Sequence, residues 1–367
     1  MLENGKISAR QFTVLVILYT IGSAIVVVPS AVASFAKQDA WIAGIIGVGV
    51  GLLLIWLYNA VGNLFPHMTL IELNEKLLGK WVGKAVSFLF ITTLFFGGPA
   101  SVLFYLGNFI TTQVMPETPI EAINILFVII VVMGVRLGLE TLARSSEILF
   151  PWFLILFVSL VIFVSPQIKV ENLQPMLETG IKSILPATLS FLSIVFLPLI
   201  VLLMIFPAYI NKSKESKKAF FIGGLIGGLV MIIIIALSIS VLGADLTVRQ
   251  IYPSYALAKK INVGNFLQRI EAIMAGLWFI SLYFRLVLYF YAIVLALAQI
   301  FNLKDYRPLV LPLGMILVVA SLAIYPNVVY TQTWDITTWI PYILTVGAFY
   351  PLLLLAIGLF RKKSNSD

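Results

Sequence analysis

The sequence predicts an all-α polytopic membrane protein: ten transmembrane helices in a 5+5 inverted repeat, with helices 1 and 6 broken. Three observations predict it. Of 367 residues, 61% are hydrophobic and only 11% charged, which excludes an ordinary soluble domain. Ten apolar segments approach or exceed the ~20 residues that a bilayer-spanning helix needs. Two local features, a break inside a span and a glycine cluster opening the next one, recur at nearly the same offset in each half.

The segments lie at about 11–35, 41–64, 84–114, 119–137, 147–165, 184–210, 219–243, 265–299, 308–326 and 337–360. An even number of spans puts both termini on one side. The connections on that side hold sixteen lysines and arginines, and those on the other hold six. The positive-inside rule therefore places both termini in the cytoplasm. This distribution accounts for the net charge of +8 without a nucleic-acid partner. With no cysteine and one histidine, His67, neither a thiolate nor a histidine metal site is expected. No cofactor is expected either. No span holds paired acids and no loop is built to cradle phosphate, so no enzyme is expected.

The first segment is the least uniform. Thr20, Gly22, Ser23, Pro29 and Ser30 sit inside an otherwise apolar run. Proline removes a backbone donor and crowds the preceding turn, and glycine weakens a helix while allowing close approach to its backbone. In hydrocarbon the freed polar groups must meet protein, water or ligand. The segment reads as a discontinuous helix lining a cavity, with a kinked packing helix as the alternative. The sixth segment carries Pro186, Ser190, Ser193, Pro198 and Pro207. From Gly22 to Pro198 is 176 positions, and from Gly44 to Gly223, which open the two glycine clusters, is 179. Five spans per half invert the second half relative to the first. The chain is thus expected to form a single domain, 1–367, with repeats at about 11–165 and 184–360 and a site at the midplane.

Three connections are expected to hold structure. Thr69 to Lys80 has helical apolar spacing and reads as a short interfacial helix. Ile168 to Leu185 and Leu246 to Asn262 read as surface or re-entrant helices, or as plain loops. Arg136, Glu140, Arg144 and Glu147 read as a surface ion-pair row or a contact for a partner subunit. Arg269 and Glu271, two apart, face different sides of a helix. Tyr105, Trp278, Tyr283 and Tyr289 are aromatics that pack or line a pocket.

Several stretches carry a family resemblance: K-I-S-A-R-Q before the first span, I-G-S-A-I-V-V-V-P within it, L-L-G-K-W-V-G-K at 77–84, N-L-Q-P-M-L-E-T-G-I-K-S-I-L at 172–185, M-I-F-P at 204–207, Q-R-I-E at 268–271 with Trp278, and Y-P-N at 325–327. In this order they resemble the B subunits of the nutrient germinant receptors of bacterial spores. These belong to the amino acid–polyamine–organocation transporter superfamily. The resemblance implies a receptor in the spore inner membrane that acts with an A subunit, a larger membrane protein, and a C subunit, a lipoprotein. It implies a small nutrient ligand, an amino acid or a nucleoside. The chain departs from the pattern at F-L-P-L around Pro198, where relatives carry an acidic residue, and at position 24, where alanine replaces a motif glycine. An autonomous amino-acid/cation transporter is the alternative function, and a scaffold for the A subunit a third.

The candidate ligand-binding residues are Thr20, Gly22, Ser23, Ala24 and Ile25 at the first break, Ser193 and Pro198 at the second, and Phe284 on helix 8. A half-helix N-terminus at the first break offers free N–H groups and partial positive charge to a ligand carboxylate. The serines have an alternative, bonding the carbonyl one turn back. Arg285 lies ~28 Å along helix 8 at 1.5 Å per residue, inside the membrane, where arginine is costly. Some members of the superfamily bind sodium between helices 1 and 8. Arg285 is therefore a candidate cation-site substitute bonding carbonyls of helix 1, with snorkelling to the headgroups as the alternative.

Overall fold

The computed structural model describes residues 5–178, 180–211, 213–261 and 271–364. Lys212, Phe266 and Arg269 lie outside them. α1 (Ala9–Ile21) starts at a capping box: the Ser8 hydroxyl accepts from the Gln11 N–H at 3.1 Å, and the Gln11 side chain accepts from the Ser8 N–H at 2.9 Å. It stops at Gly22, whose φ of 25° suits glycine alone. α2 (Ala24–Ala36) follows, then one turn and α3 (Ala40–Gly62). Pro29 does not break α2. The carbonyl it leaves unpaired, four residues back at Ile25, accepts instead from the Ser254 hydroxyl at 2.5 Å. The first interruption is therefore the work of Gly22.

α4 (Leu70–Leu78) is the short helix expected after the second segment, capped by Thr69 and Glu72 and ended by Gly79. α5 (Lys80–Phe95) runs through a π-helical turn, Phe96–Ala100, into α6 (Ser101–Phe109). α7 (Ile120–Leu137) and α8 (Leu139–Val164) complete the first half. α9 (Ile181–Val195) gives way to a 3₁₀ stretch, Leu197–Met204, before α10 (Ser213–Leu242). The 244–259 connection holds α11 (Ala244–Arg249) and α12 (Pro253–Lys259), and Val170–Leu173 forms one 3₁₀ turn. α13 (Glu271–Ile300) and α14 (Arg307–Ala323) precede a composite helix: α15 (Val328–Trp334), a π-helical turn Asp335–Trp339, α16 (Ile340–Leu344), a second π-helical turn, and α17 (Tyr350–Ser364).

Among the described residues, eight helical stretches are long and apolar enough to cross a membrane; one of them, Ala24–Gly62, contains both α2 and α3. Ala9–Ile21 and Arg307–Ala323 are shorter apolar helices. Leu126, Met133, Ile148, Ile155 and Met315 are exposed, an apolar surface that faces lipid in a multi-pass membrane protein. The core is built by helices of one half packing on those of the other, a pairing suggestive of an internal repeat. α1 lies against α10 and α13, while α2 and α3 lie against α9. The glycine clusters make this contact close. Gly47 and Gly51 abut the rings of Phe191 and Phe196, and Gly223 and Gly227 abut Val16 and Thr20. The ion-pair row is split: Arg144 meets Glu140 at 2.5 Å, but Glu147 accepts from Gln11 at 3.0 Å and faces Arg10 at 3.8 Å.

Candidate ligand-binding site

Without a side chain, Gly22 lets Arg285 of α13 lie across the interrupted backbone. A Cβ placed at Gly22 would fall 2.7 Å from the Arg285 Cβ and 2.9 Å from the Tyr19 carbonyl oxygen. Arg285 is only 3% exposed, so it does not snorkel. Its Nη2 donates to the Ile194 carbonyl at 2.6 Å, while Nε and Nη1 have no hydrogen-bond partner among the described residues. The guanidinium sits 5.4 Å from the Tyr19 ring centre and 5.9 Å from that of Tyr289, so two π faces flank it instead of a carboxylate. The expected acceptors were carbonyls of helix 1. The acceptor is instead in the last turn of α9, and the Gly22 carbonyl accepts from the Ser281 hydroxyl at 3.3 Å.

The end of α9 leaves carbonyls unpaired, and side chains far away in sequence cover them. Trp339 Nε1 donates to Ser193 O at 3.1 Å, and the Tyr19 hydroxyl donates to Pro198 O at 3.0 Å. The Tyr58 hydroxyl is shared between Leu197 O at 3.0 Å and Gly347 O at 2.7 Å. A buried carbonyl without a donor costs free energy of the order of a lost hydrogen bond. These four donors, Arg285 included, therefore hold the second interruption in place.

Between the two interruptions lies a cavity of about 50 Å³, walled by Ser23 and Val27 of α2, Gly97, Ser101 and Tyr105 of the α5–α6 helix, Ile194, Arg285, Tyr289, Tyr325, Asp335 and Trp339. A second cavity of about 170 Å³ shares Val27, Tyr105, Ile194 and Asp335 with it and extends past Ser30 and Ser34 to Val248 and Ile251 at α11. The two form an inner chamber and a vestibule. Asp335 stands at their junction, where its carboxylate accepts from the Tyr105 hydroxyl. The Ser101 and Tyr325 hydroxyls share a 2.8 Å hydrogen bond in the same wall. Gly97 and Asp335 each come from a π-helical turn, which widens the helix and turns side chains out of the regular register. A larger cleft of about 500 Å³, near α4 and the end of α13, is lined by His67, Glu72, Glu75 and Lys304 and by none of the predicted site residues.

Of the candidate ligand-site residues named from the sequence, the chamber wall contains Ser23 and Arg285, with Gly22 directly beneath the arginine. Ser23 makes no capping hydrogen bond at the N-terminus of α2. The others are placed in packing. Thr20 bonds Val16 O at 2.7 Å and lies against Gly227. Ala24, Ile25 and Phe284 are fully buried, and the Ser193 hydroxyl turns back onto Ser190 O at 2.8 Å. Pro198 contributes its carbonyl to the Tyr19 bond. Tyr105 and Tyr289, read from the sequence as aromatics that pack or line a pocket, are in the wall, whereas sequence reasoning missed Ser101, Tyr325, Trp339 and Asp335. The available signal was Asp335 itself, an acid two residues before the tenth apolar segment.

A family model described as spore germination protein matches residues 6–364. Spore germination protein KB of Bacillus subtilis (strain 168) is 32% identical over 369 residues, covering 99% of this chain and 97% of that protein. Among solved structures, that of MHP1, a nucleobase-cation-symport-1 family transporter, in a closed conformation with bromovinylhydantoin bound, matches with a TM-score of 0.71 at 12% identity, covering 96% of this chain and 78% of that one. The structure of MhsT in complex with L-phenylalanine matches with a TM-score of 0.59 at 16% identity, covering 97% and 99%. At these identities the two structures share a fold with this chain.

Proposed function

This chain belongs to the spore germination protein family, and from that membership we propose that it is a germinant receptor B subunit, binding a small nutrient in the chamber between the two interruptions. The observation that carries the reading is the chamber itself, built around a buried arginine with two unsatisfied donors. MHP1 and MhsT, which share the fold, hold bromovinylhydantoin and L-phenylalanine in their structures. In this reading α1 and α2 are two halves of one span, as are α9 and the 3₁₀ stretch after it. α2 and α3 are then separate spans, the total is ten, and the chain is a single domain of two inverted repeats. Both termini are cytoplasmic, the vestibule opens outward, and the membrane is the spore inner membrane. A and C subunits complete the receptor. The ligand biases them only by binding one cavity state better than another.

The ligand carboxylate meets Ser23 and the free N–H groups at the start of α2, above Gly22. Thr20, Ala24, Ile25, Ser193, Pro198 and Phe284 form the shell that fixes these groups. Arg285 supplies a resident cation where some transporters of this superfamily bind sodium. Arg285→Gln is expected to lose the response or to make it sodium-dependent, and Arg285→Lys to keep part of it. A fully active Arg285→Gln variant indifferent to sodium contradicts this role.

The receptor reading is tested by reconstituting the chain alone in vesicles. Labelled nutrient is expected to bind without accumulating. Accumulation establishes an autonomous transporter, and absence of both a scaffold. Tags beyond Lys363 and between Lys212 and Lys218 are expected to be reachable only from the cytoplasmic side.

A further inference from the structure

Two ionisable side chains of opposite sign, buried Arg285 and half-buried Asp335, face the same chamber. Arg285 and Asp335 both line it, and among the described residues neither forms an ion pair. Arg285 has Nε and Nη1 unpartnered, at 3% exposure. Among the described residues Asp335 has one hydrogen-bond partner, the Tyr105 hydroxyl. In a low-dielectric site each charge needs a counter-charge or a full set of hydrogen bonds. A monoanion in the chamber compensates Arg285 alone, a monocation compensates Asp335 alone, and an uncharged nucleoside compensates neither. A molecule with a carboxylate and a protonated amine compensates both and leaves the chamber with no added net charge.

Resting on the nutrient-receptor reading of this chamber, we propose that its ligand is a zwitterionic amino acid, its carboxylate held between Ser23 with the start of α2 and Arg285 Nε and Nη1, and its ammonium on the Asp335 carboxylate. Asp335 is then a specificity-determining residue on a span that carries none of the breaks. Its place at the junction of chamber and vestibule orients the ligand. The carboxylate goes inward to Arg285, and the side chain points toward the vestibule, where the wall is formed by Val27, Ile194, Val328 and Ile336. An uncharged side chain suits that wall.

The purified full-length chain is tested by thermal shift against the common L-amino acids, adenosine and inosine. The best-binding amino acid is then compared with its carboxamide, which lacks the carboxylate, and its 2-hydroxy acid, which lacks the amine. Each derivative is expected to bind at least about tenfold more weakly, the scale of one charge-assisted hydrogen bond. In Asp335→Asn the 2-hydroxy acid is expected to match the parent, and in Arg285→Gln the carboxamide is. Arg285→Lys retains a reduced preference for the parent. The melting transition reports in each case that the variant is folded. A nucleoside that binds tightly and equally to wild type and Asp335→Asn overturns the zwitterion and leaves the nutrient receptor standing. Parent and derivatives binding alike do the same. A folded chain that binds nothing in the panel overturns both.

Discussion

The two interruptions are built in opposite ways. The first is a single glycine: α1 stops at Gly22, α2 starts two residues later, and the Ser23 beside it faces the chamber. The second is a slow change of helix type, from the last turn of α9 through eight residues of 3₁₀ helix, all buried and apolar. Its loose carbonyls are covered by Trp339, Tyr58, Tyr19 and Arg285. The second is finished by the protein, whereas at the first two donors of Arg285 are left unused. The difference teaches that a broken helix alone does not mark a ligand site. What marks it is the polar capacity that the protein leaves unspent there.

Substitutions sharpen this contrast. The largest effect is expected for Gly22→Leu, where the side chain meets Arg285 and the backbone holds a positive φ. Overpacking and backbone strain together cost about 2–6 kcal/mol, read as a lower melting midpoint and a lost nutrient response. The first obstacle is Arg285 of α13. Arg285→Met is expected to separate the two roles. It removes a buried charge whose desolvation no acid offsets, which counters the loss of the donor on the Ile194 carbonyl, so stability changes little while the nutrient response disappears. Tyr58→Phe takes a donor from Leu197 O and Gly347 O at the second interruption. It is expected to lower stability by about 1–3 kcal/mol with the response intact. Ser193→Ala, whose hydroxyl only bonds back to Ser190, is expected to change stability by less than about 1 kcal/mol. A lost response in Tyr58→Phe or Ser193→Ala at normal stability would erase the distinction between the interruptions.

The apolar segments, the short helix α4 and the close packing of both glycine clusters were legible because each follows from local spacing and residue type. So was the importance of Gly22 and Arg285, a glycine and a charge where hydrocarbon tolerates them poorly. Pro29 misled, because its freed carbonyl is met by Ser254, more than two hundred positions away. The donors that seal α9 were illegible for the same reason: Tyr19, Tyr58 and Trp339 look like ordinary membrane aromatics until the fold brings them to a carbonyl. Asp335 precedes the tenth apolar segment, outside both interrupted spans, and only the π-helical turn it opens delivers it to the chamber.

The central claim is that the first interruption, and not the second, is where a nutrient touches the protein. The chain has no cysteine, so a single introduced thiol reports one position. Ser23→Cys is expected to react with a small water-soluble thiol reagent and to be protected by the nutrient that binds, while Ser193→Cys stays unreactive with or without it. Protection at Ser193→Cys with none at Ser23→Cys, in variants that still respond to nutrient, would contradict the account.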